Sequence, residues 1–350
     1  MSNQTKKTVL RYAGGKSRAI KKITPFIDPY SEIVSPFLGG GSLEVHWALK
    51  GKKVIASDVF DVLVCFWNQL LNNPNGLADE LQKINPDKDT YAEIKEKLIQ
   101  TPQVQKMLSH WKTDFYKREE NSLEDVVLAA YYYFNHNCSY GPGFLGWASD
   151  IYMDQTKWDK TILKIRNFDV PDMTVYNESF ETFIPKHKKS FMYLDPPYYL
   201  KKDDDNKMLG GIYPMKNIPV HHNEFDHEKL RDLLLAHEGD FVMSYNNCET
   251  IREWYKDFEL FYPEWHYSMD VGEKRIGKNR KDRVNEEDLK DVDALTQMIE
   301  NIEELIPDKN ICSKTLQSAS SILDNTLLNL KTLRHEIMKK ESHEILIVKR

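Results

Sequence analysis

Asp195-Pro196-Pro197-Tyr198 is the segment of this chain whose residue types and spacing point most directly to chemistry, and it follows the short apolar run Ser190 to Leu194. A run of that length and character reads as a strand, so the acid stands at a strand's carboxyl end. Two prolines hold the backbone rigid just beyond it, and neither brings an N–H that competes for its own carbonyl. An amino group bound there can donate one hydrogen bond to Asp195 and another to the Pro196 carbonyl, while Tyr198 stacks on the ring that carries the amine. The segment is therefore a trap for an exocyclic amine. An isolated Asp-Pro-Pro is more often a rigid turn with a solvated aspartate, so its weight depends on what precedes it.

What precedes it is a nucleotide-binding pattern. Phe37-Leu38-Gly39-Gly40-Gly41 closes a strand-like run, Glu32 to Phe37, and opens a helical pattern from Ser42 to Lys50. Glycines at that point let backbone approach a ligand closely at the carboxyl end of a first strand. A second strand, Lys53 to Ser57, ends at Asp58, an acid roughly twenty residues after the glycines and placed to accept hydrogen bonds from ribose hydroxyls. Gly15-Lys16-Ser17 mimics the tail of a phosphate-binding P-loop, but the required first glycine falls at Leu10 and no strand of decent length precedes it, so the spacing rejects a nucleoside triphosphatase. His221, His222, His227 and Glu228 lack the spaced pair that a metal site needs, and no metal is expected.

The elements that must hold these groups form an interrupted α/β pattern. Strand, glycine turn, helix and strand up to Asp58 make one β-α-β unit. From about Val59 to Phe168 helical signals dominate, with Tyr91 to Gln100 and Leu123 to Phe134 the clearest. Strand-like runs resume at Met173 to Tyr176, Ser190 to Leu194, Phe241 to Ser244 and Phe258 to Tyr262, with a helical pattern over Phe225 to Leu235. After Arg283, Leu295, Met298, Ile299, Ile302, Leu305 and Ile306 mark an amphipathic helix that Pro307 ends; in a second, Leu316, Leu323, Leu330 and Ile337 recur every seven residues. Glu344 to Val348 reads as a final strand. The expected divisions are 1–59, 60–168, 169–283, 284–340 and 341–350, the first, third and last forming one sheet domain.

The 350 residues, 41% of them hydrophobic, suffice for a substantial core. The N-terminus is polar and the longest apolar stretch, Val126 to Phe134, is too short to span a bilayer, which points to a cytoplasmic protein without membrane partners. Cys65, Cys138, Cys248 and Cys312 stand singly, as reduced thiols do. The net charge of −6 runs against nucleic-acid binding until its distribution is considered. Met1 to Lys22 holds seven cations, among them Arg18, and no acid; Lys274, Arg275, Lys278, Arg280, Lys281 and Arg283 form a second basic stretch. The acids gather elsewhere, at Asp203 to Asp205 and Glu286 to Asp293, so a basic face opposite an acidic one is expected.

In order and content these motifs resemble the DNA adenine methylase family, the α class of amino methyltransferases, also described as the D12 class acting on adenine N6. Its members carry a Tyr/Trp-x-Gly-Gly-Lys segment, a Phe-x-Gly-x-Gly turn, a target-recognition insertion and an Asp-Pro-Pro-Tyr motif. Here they are Tyr12-Ala13-Gly14-Gly15-Lys16, Phe37 to Gly41, residues 60–168 and Asp195 to Tyr198; Asn177 to Phe180, Phe225 to Leu230, Ser244 to Asn247 and Glu344 to Ile347 are further echoes. The resemblance implies a Rossmann-like seven-stranded methyltransferase sheet, its last strand antiparallel, with a helical target-recognition domain. It implies S-adenosylmethionine as cofactor and S-adenosylhomocysteine as product. Tyr12, Ala13, Gly14 and Lys16 would contact that cofactor, Phe37, Gly39 and Gly41 would pass under its methionine part, Asp58 would hold its ribose and Phe180 would pack on its adenine. Asp195 would face both cofactor and base, and Asp195, Pro196, Pro197 and Tyr198 would form the catalytic centre for an adenine flipped out of double-stranded DNA, whose amino nitrogen attacks in line with no covalent enzyme intermediate.

Within Tyr131 to Gly141, which resembles the family's aromatic-Asn stretch, the aromatics read as helix core, while Asn135 and His136 are candidates for DNA contact alongside Arg18, Lys274, Arg275 and Lys278. Two departures stand out. Residues 201–224 lengthen the connection after the motif, and 284–340 insert a helical pair where the family usually has a short hairpin. Its heptad leucines suit a self-contained hairpin or a seam for self-association. A companion restriction endonuclease is a further partner that such an enzyme takes in restriction-modification. The amine trap also suits cytosine N4, though the motif order favours adenine, and a DNA-binding regulator without turnover is the reading from another class.

Overall fold

The structure, a computed structural model, describes residues 8–12, 14–111, 120–140, 143–199, 225–263, 292–299, 321–333 and 344–350. Seven strands form one sheet: β1 (Glu32–Ser35), β2 (Lys53–Asp58), β3 (Met173–Asn177), β4 (Met192–Leu194), β5 (Phe241–Asn246), β6 (Glu259–Phe261) and β7 (Glu344–Lys349). Their spatial order is β3-β2-β1-β4-β5-β7-β6. The chain thus builds outward from β1 to β3, then returns to lay β4 on the other side of β1. Strands β3 through β5 are parallel, and β7 runs antiparallel between β5 and β6. This is the seven-stranded Rossmann-like methyltransferase arrangement that the motif order implies.

Alternation along the strands divides the core between the two faces of the sheet, because successive side chains point to opposite sides. Ile33, Val54, Ala56, Tyr193, Val242, Leu346 and Val348 belong to one cluster, and Val34, Met192, Leu194, Met243, Ile345 and Ile347 to the other. Helices cover both faces: α1 (Ile20–Ile27), α2 (Ser42–Ala48), α3 (Asp61–Asn72), α4 (Pro74–Gln82), α5 (Lys88–Ile99), α6 (Pro102–Trp111), α7 (Asp125–Asn137), α8 (Gln155–Arg166), α9 (Phe180–Lys186), α10 (His227–Leu235) and α11 (Glu249–Trp254). Several begin as their sequences suggest: Asp87, Asp154 and Asp226 each accept a hydrogen bond from the backbone amide three residues on.

The helical segment between β2 and β3 does not stand apart from the sheet. Its first helix, α3, lies against β2 and β3, and its core is continuous with that of one sheet face. At its centre α7 is buried from Leu128 through Asn137 except for the half-buried Tyr131, so its aromatic run is core. The helix extends three residues beyond the expected Phe134, which carries Asn135 and His136 into its last, buried turn. In the later insertion, residues 292–299 and 321–333 are helical, with Leu323 and Leu330 half-buried; Leu316 and Ile337 lie outside the described residues, as does the connection 201–224. Among the described residues no helix is long and apolar enough to cross a membrane.

Candidate active site

The strand order reverses between β1 and β4, and in such sheets ligands occupy the crevice beyond the carboxyl ends at that point. Both sequence motifs arrive there. The glycine turn leaves β1 with Gly39 at φ +48° and Gly41 at φ +58°, the left-handed region that side chains with a Cβ avoid. What approaches the turn closely is protein. A Cβ at Gly40 would collide with Tyr12, whose ring lies across the turn, and one at Gly41 would come within 2.6 Å of the Trp67 ring. Trp67 Nε1 donates to the Gly39 carbonyl (3.0 Å), tying the turn to α3. Asp58, half-buried at the end of β2, accepts from the Gly39 amide (2.9 Å) and the Phe60 amide (3.0 Å), one at each oxygen, and these bonds fix its carboxylate against the glycine turn.

Asp195 follows β4 with its side chain 23% exposed. Its Oδ1 takes an ion pair from Lys16 Nζ at 2.8 Å and a hydrogen bond from Ser244 Oγ at 2.8 Å, whereas among the described residues nothing bonds to Oδ2. Lys16 is 4% exposed and also donates to the Tyr198 hydroxyl (3.0 Å), which donates in turn to Glu344 Oε1. Tyr198 is buried, its ring stacked toward Tyr245. The backbone beyond it is clasped from β5: Asn246 Oδ1 accepts from the Tyr199 amide (2.8 Å) and Asn246 Nδ2 donates to the Tyr199 carbonyl (3.0 Å). Glu44 on α2 is buried and accepts from Ser35 Oγ (2.8 Å); burial pushes its carboxyl up to about 7, with the nearby Asp195 charge adding to the rise.

Beside Asp58 the wall is aromatic. Phe180, at the start of α9, meets Phe37 at 5.6 Å and Phe225 at 4.9 Å between ring centroids. His227, whose Nδ1 bonds the Tyr245 hydroxyl, is lowered to about 4 by burial and stays neutral. Lys16 thus joins Gly14, Asp195 and Tyr198, with Pro196 and Pro197 between the last two, while Tyr12 and Asp58 both meet the turn of Gly39 and Gly41 and Phe37 meets Phe180. Ala13 lies outside the described residues. A sulfonium nucleoside amino acid needs acceptors, an acid at the second strand for its ribose and apolar ring surface for its base; this donor and acceptor set fits it.

The DNA-contact candidates fare differently. Asn135 is buried, its Oδ1 accepting from the Leu145 amide (2.6 Å). His136 is buried as well, its ring stacked on Tyr12 at 5.6 Å and its Nε2 bonded to the Arg11 carbonyl (2.6 Å), with burial lowering it to about 4. Contrary to the expectation of a DNA-facing pair, both face inward, His136 bracing the Arg11–Tyr12 segment and Asn135 the backbone at Leu145, because the end of α7 is buried among its neighbours. Arg18 is exposed, and Lys274, Arg275 and Lys278 lie outside the described residues. The residues that do project are Tyr140 and Trp147, 73% and 78% exposed, which pair across a narrow turn where Tyr140 N donates to Trp147 O (2.7 Å). Sequence reading passed over them, along with Glu44, Ser244, Asn246 and Glu344 as contributors to the site. Ser244, Asn246 and Glu344 fall in segments that echo the family; Tyr140 and Trp147 carried no signal besides their aromatic type among glycines.

A family model for D12 class N6 adenine-specific DNA methyltransferases matches residues 12–269, a span that includes both motifs and the helical segment between them. Comparison with curated proteins gives no match.

Proposed function

From the premise that the chain belongs to the D12 class N6 adenine-specific DNA methyltransferase family, we propose that it binds S-adenosylmethionine in the crevice at the strand reversal and methylates an adenine flipped out of double-stranded DNA against Asp195. When bound, S-adenosylmethionine supplies an electrophilic methyl group in line with the amino nitrogen of that base, leaving S-adenosylhomocysteine. Tyr12, Gly14 and Lys16 would hold the cofactor from one side and Phe37, Gly39 and Gly41 from below. Asp58 would take its ribose hydroxyls, since a carboxylate has about four acceptor positions and its two backbone bonds fix the direction of the rest. Phe180 would cover its adenine.

One observation supports this reading above the others: both contacts from the protein converge on Oδ1 of Asp195, and among the described residues nothing bonds to Oδ2, so that oxygen keeps its acceptor capacity. An amino group there donates to Oδ2 and to the Pro196 carbonyl, which draws its lone pair out of conjugation with the ring. Nitrogen then becomes the nucleophile, and its surplus proton departs after transfer. Ser244 and Lys16 keep the carboxylate aimed, and Asn246 keeps the Pro-Pro-Tyr backbone from drifting. Tyr140 and Trp147 offer flat apolar surface for a DNA groove or an unstacked base, and Arg18 with Lys274, Arg275 and Lys278 would meet phosphates. A companion endonuclease and self-association through 284–340 remain part of the proposal.

The test is transfer of labelled methyl groups to DNA by the full chain and by Asp195→Ala, with methylated bases identified by sequencing. N6-methyladenine is expected, and a loss of at least about a hundred- to a thousandfold in the variant at unchanged melting temperature. Retained transfer in the variant overturns the role of Asp195, and N4-methylcytosine overturns the choice of base.

A further inference from the structure

Lys16 sits between two carboxylates, 2.8 Å from Asp195 and 3.7 Å from Glu344, with the Tyr198 hydroxyl bridging Lys16 to Glu344. Glu344 is 3% exposed and opens β7, where its backbone is in register with Asn246, the residue that clasps Tyr199. Burial of a carboxylate at a strand end is costly unless it is matched, and here Lys16 and Tyr198 match it. Yet the same ammonium also pairs with Asp195, and one cation beside one carboxylate leaves a neutral pair. A neutral pair is a poor partner for chemistry in which positive charge enters as a sulfonium and passes to an amino nitrogen within the same pocket.

We propose that Glu344 is a positioning residue that offsets the charge of Lys16, so that the Lys16-Asp195-Glu344 cluster keeps one net negative charge facing the cationic cofactor and the amine that is methylated. With Lys16 at +1 and each acid at −1 the sum is −1. Glu44 beneath the loop, raised to about 7, adds only part of a charge at neutral pH. Glu344 touches neither reacting atom and acts through Lys16 and Tyr198: by drawing on the ammonium and the hydroxyl, it leaves Asp195 acting as an anion instead of half of a closed ion pair. The proposal rests on the methyltransferase reading of the crevice and adds to it a preference of the protein for the charged over the uncharged form of its cofactor, set from the last strand of the sheet.

Calorimetric titration of the full chain with S-adenosylmethionine and, separately, with S-adenosylhomocysteine isolates this effect, because the two ligands differ by a methyl group and one positive charge. Glu344→Gln keeps the size and an acceptor for Tyr198 while removing the charge. It is expected to weaken S-adenosylmethionine by about tenfold, the order expected for one unit charge acting over about 12 Å at an effective dielectric of about 20, and to change S-adenosylhomocysteine by less than about twofold. Glu344→Asp, which restores the charge, is expected to recover most of the preference even if both affinities fall. Equal weakening of the two ligands in Glu344→Gln, or no weakening of either, overturns the proposal. Failure of the unaltered chain to bind S-adenosylmethionine at all overturns instead the reading on which it rests.

Discussion

The two oxygens of Asp195 differ in their partners. Lys16 and Ser244 bind one and so orient the carboxylate, and under the proposed function the other would accept from an amine. Beneath it, Glu44 contributes an opposing effect on stability. Its carboxyl is held up near 7 in the fold by burial, against an ordinary value of 4.5. An acid whose folded value lies above its unfolded one adds stability below about pH 4.5, and that stability is lost as pH rises through 7. Glu44→Gln does not titrate, so its stability relative to the unaltered chain should rise by on the order of 3 kcal/mol between pH 5 and pH 8, as read from denaturant unfolding at the two values. A pH-independent difference would show that Glu44 is charged throughout.

The elements are coupled through contacts that no local pattern announces. Tyr12 lies on the glycine turn and against His136, and Arg11 bonds Asn137 through its amide (3.1 Å) and its guanidinium (2.6 Å), so α7 grips the segment that leads to Lys16. Directly after that helix comes the turn bearing Tyr140 and Trp147. Their exposure places them outside the core, where substitution costs little: Trp147→Ala should leave stability within about 0.5 kcal/mol. If the turn meets DNA, the same variant should lose about tenfold or more in affinity for a duplex while binding S-adenosylmethionine unchanged, since stacking contacts of this kind carry about 1–3 kcal/mol. Fluorescence anisotropy with labelled duplex, beside calorimetry with the cofactor, separates the two; unchanged duplex affinity would remove this turn from the interface.

For the whole molecule the decisive feature is the position of β7 between β5 and β6. Phe261 and Leu346 are register partners in an antiparallel pair, so the end of β6 and the start of β7 lie close together and a short hairpin would join them. On the division expected from sequence, residues 284–340 would be an excursion from that hairpin. The helical residues 292–299 and 321–333 are largely exposed, with Leu295, Met298, Ile322, Leu328 and Leu333 turned outward. Replacing 284–340 by a short Gly/Ser linker should hold the melting temperature within about 4 °C, because loop length is a weak lever on stability. Light scattering on the same pair of proteins reports whether the excursion also joins copies of the chain: a drop in mass on its removal supports a seam, and a large fall in melting temperature would show that it belongs to the fold.

Asp195-Pro196-Pro197-Tyr198 and Phe37 to Gly41 were legible in the sequence because each is a local device. Proline rigidity, glycine freedom and the end of a strand act within a few residues, and so do the alternating apolar positions that marked the strands. The family followed from the order of such devices. Lys16 and Tyr198 stand 182 residues apart, Tyr198 and Glu344 stand 146 apart, and only the strand order that sets β7 beside β5 brings them to one buried point. In the same way, Asn135 and His136 looked like polar residues at the end of an aromatic run. Packing around the end of α7 decided that they face inward, since burial depends on neighbours from distant segments and not on residue type.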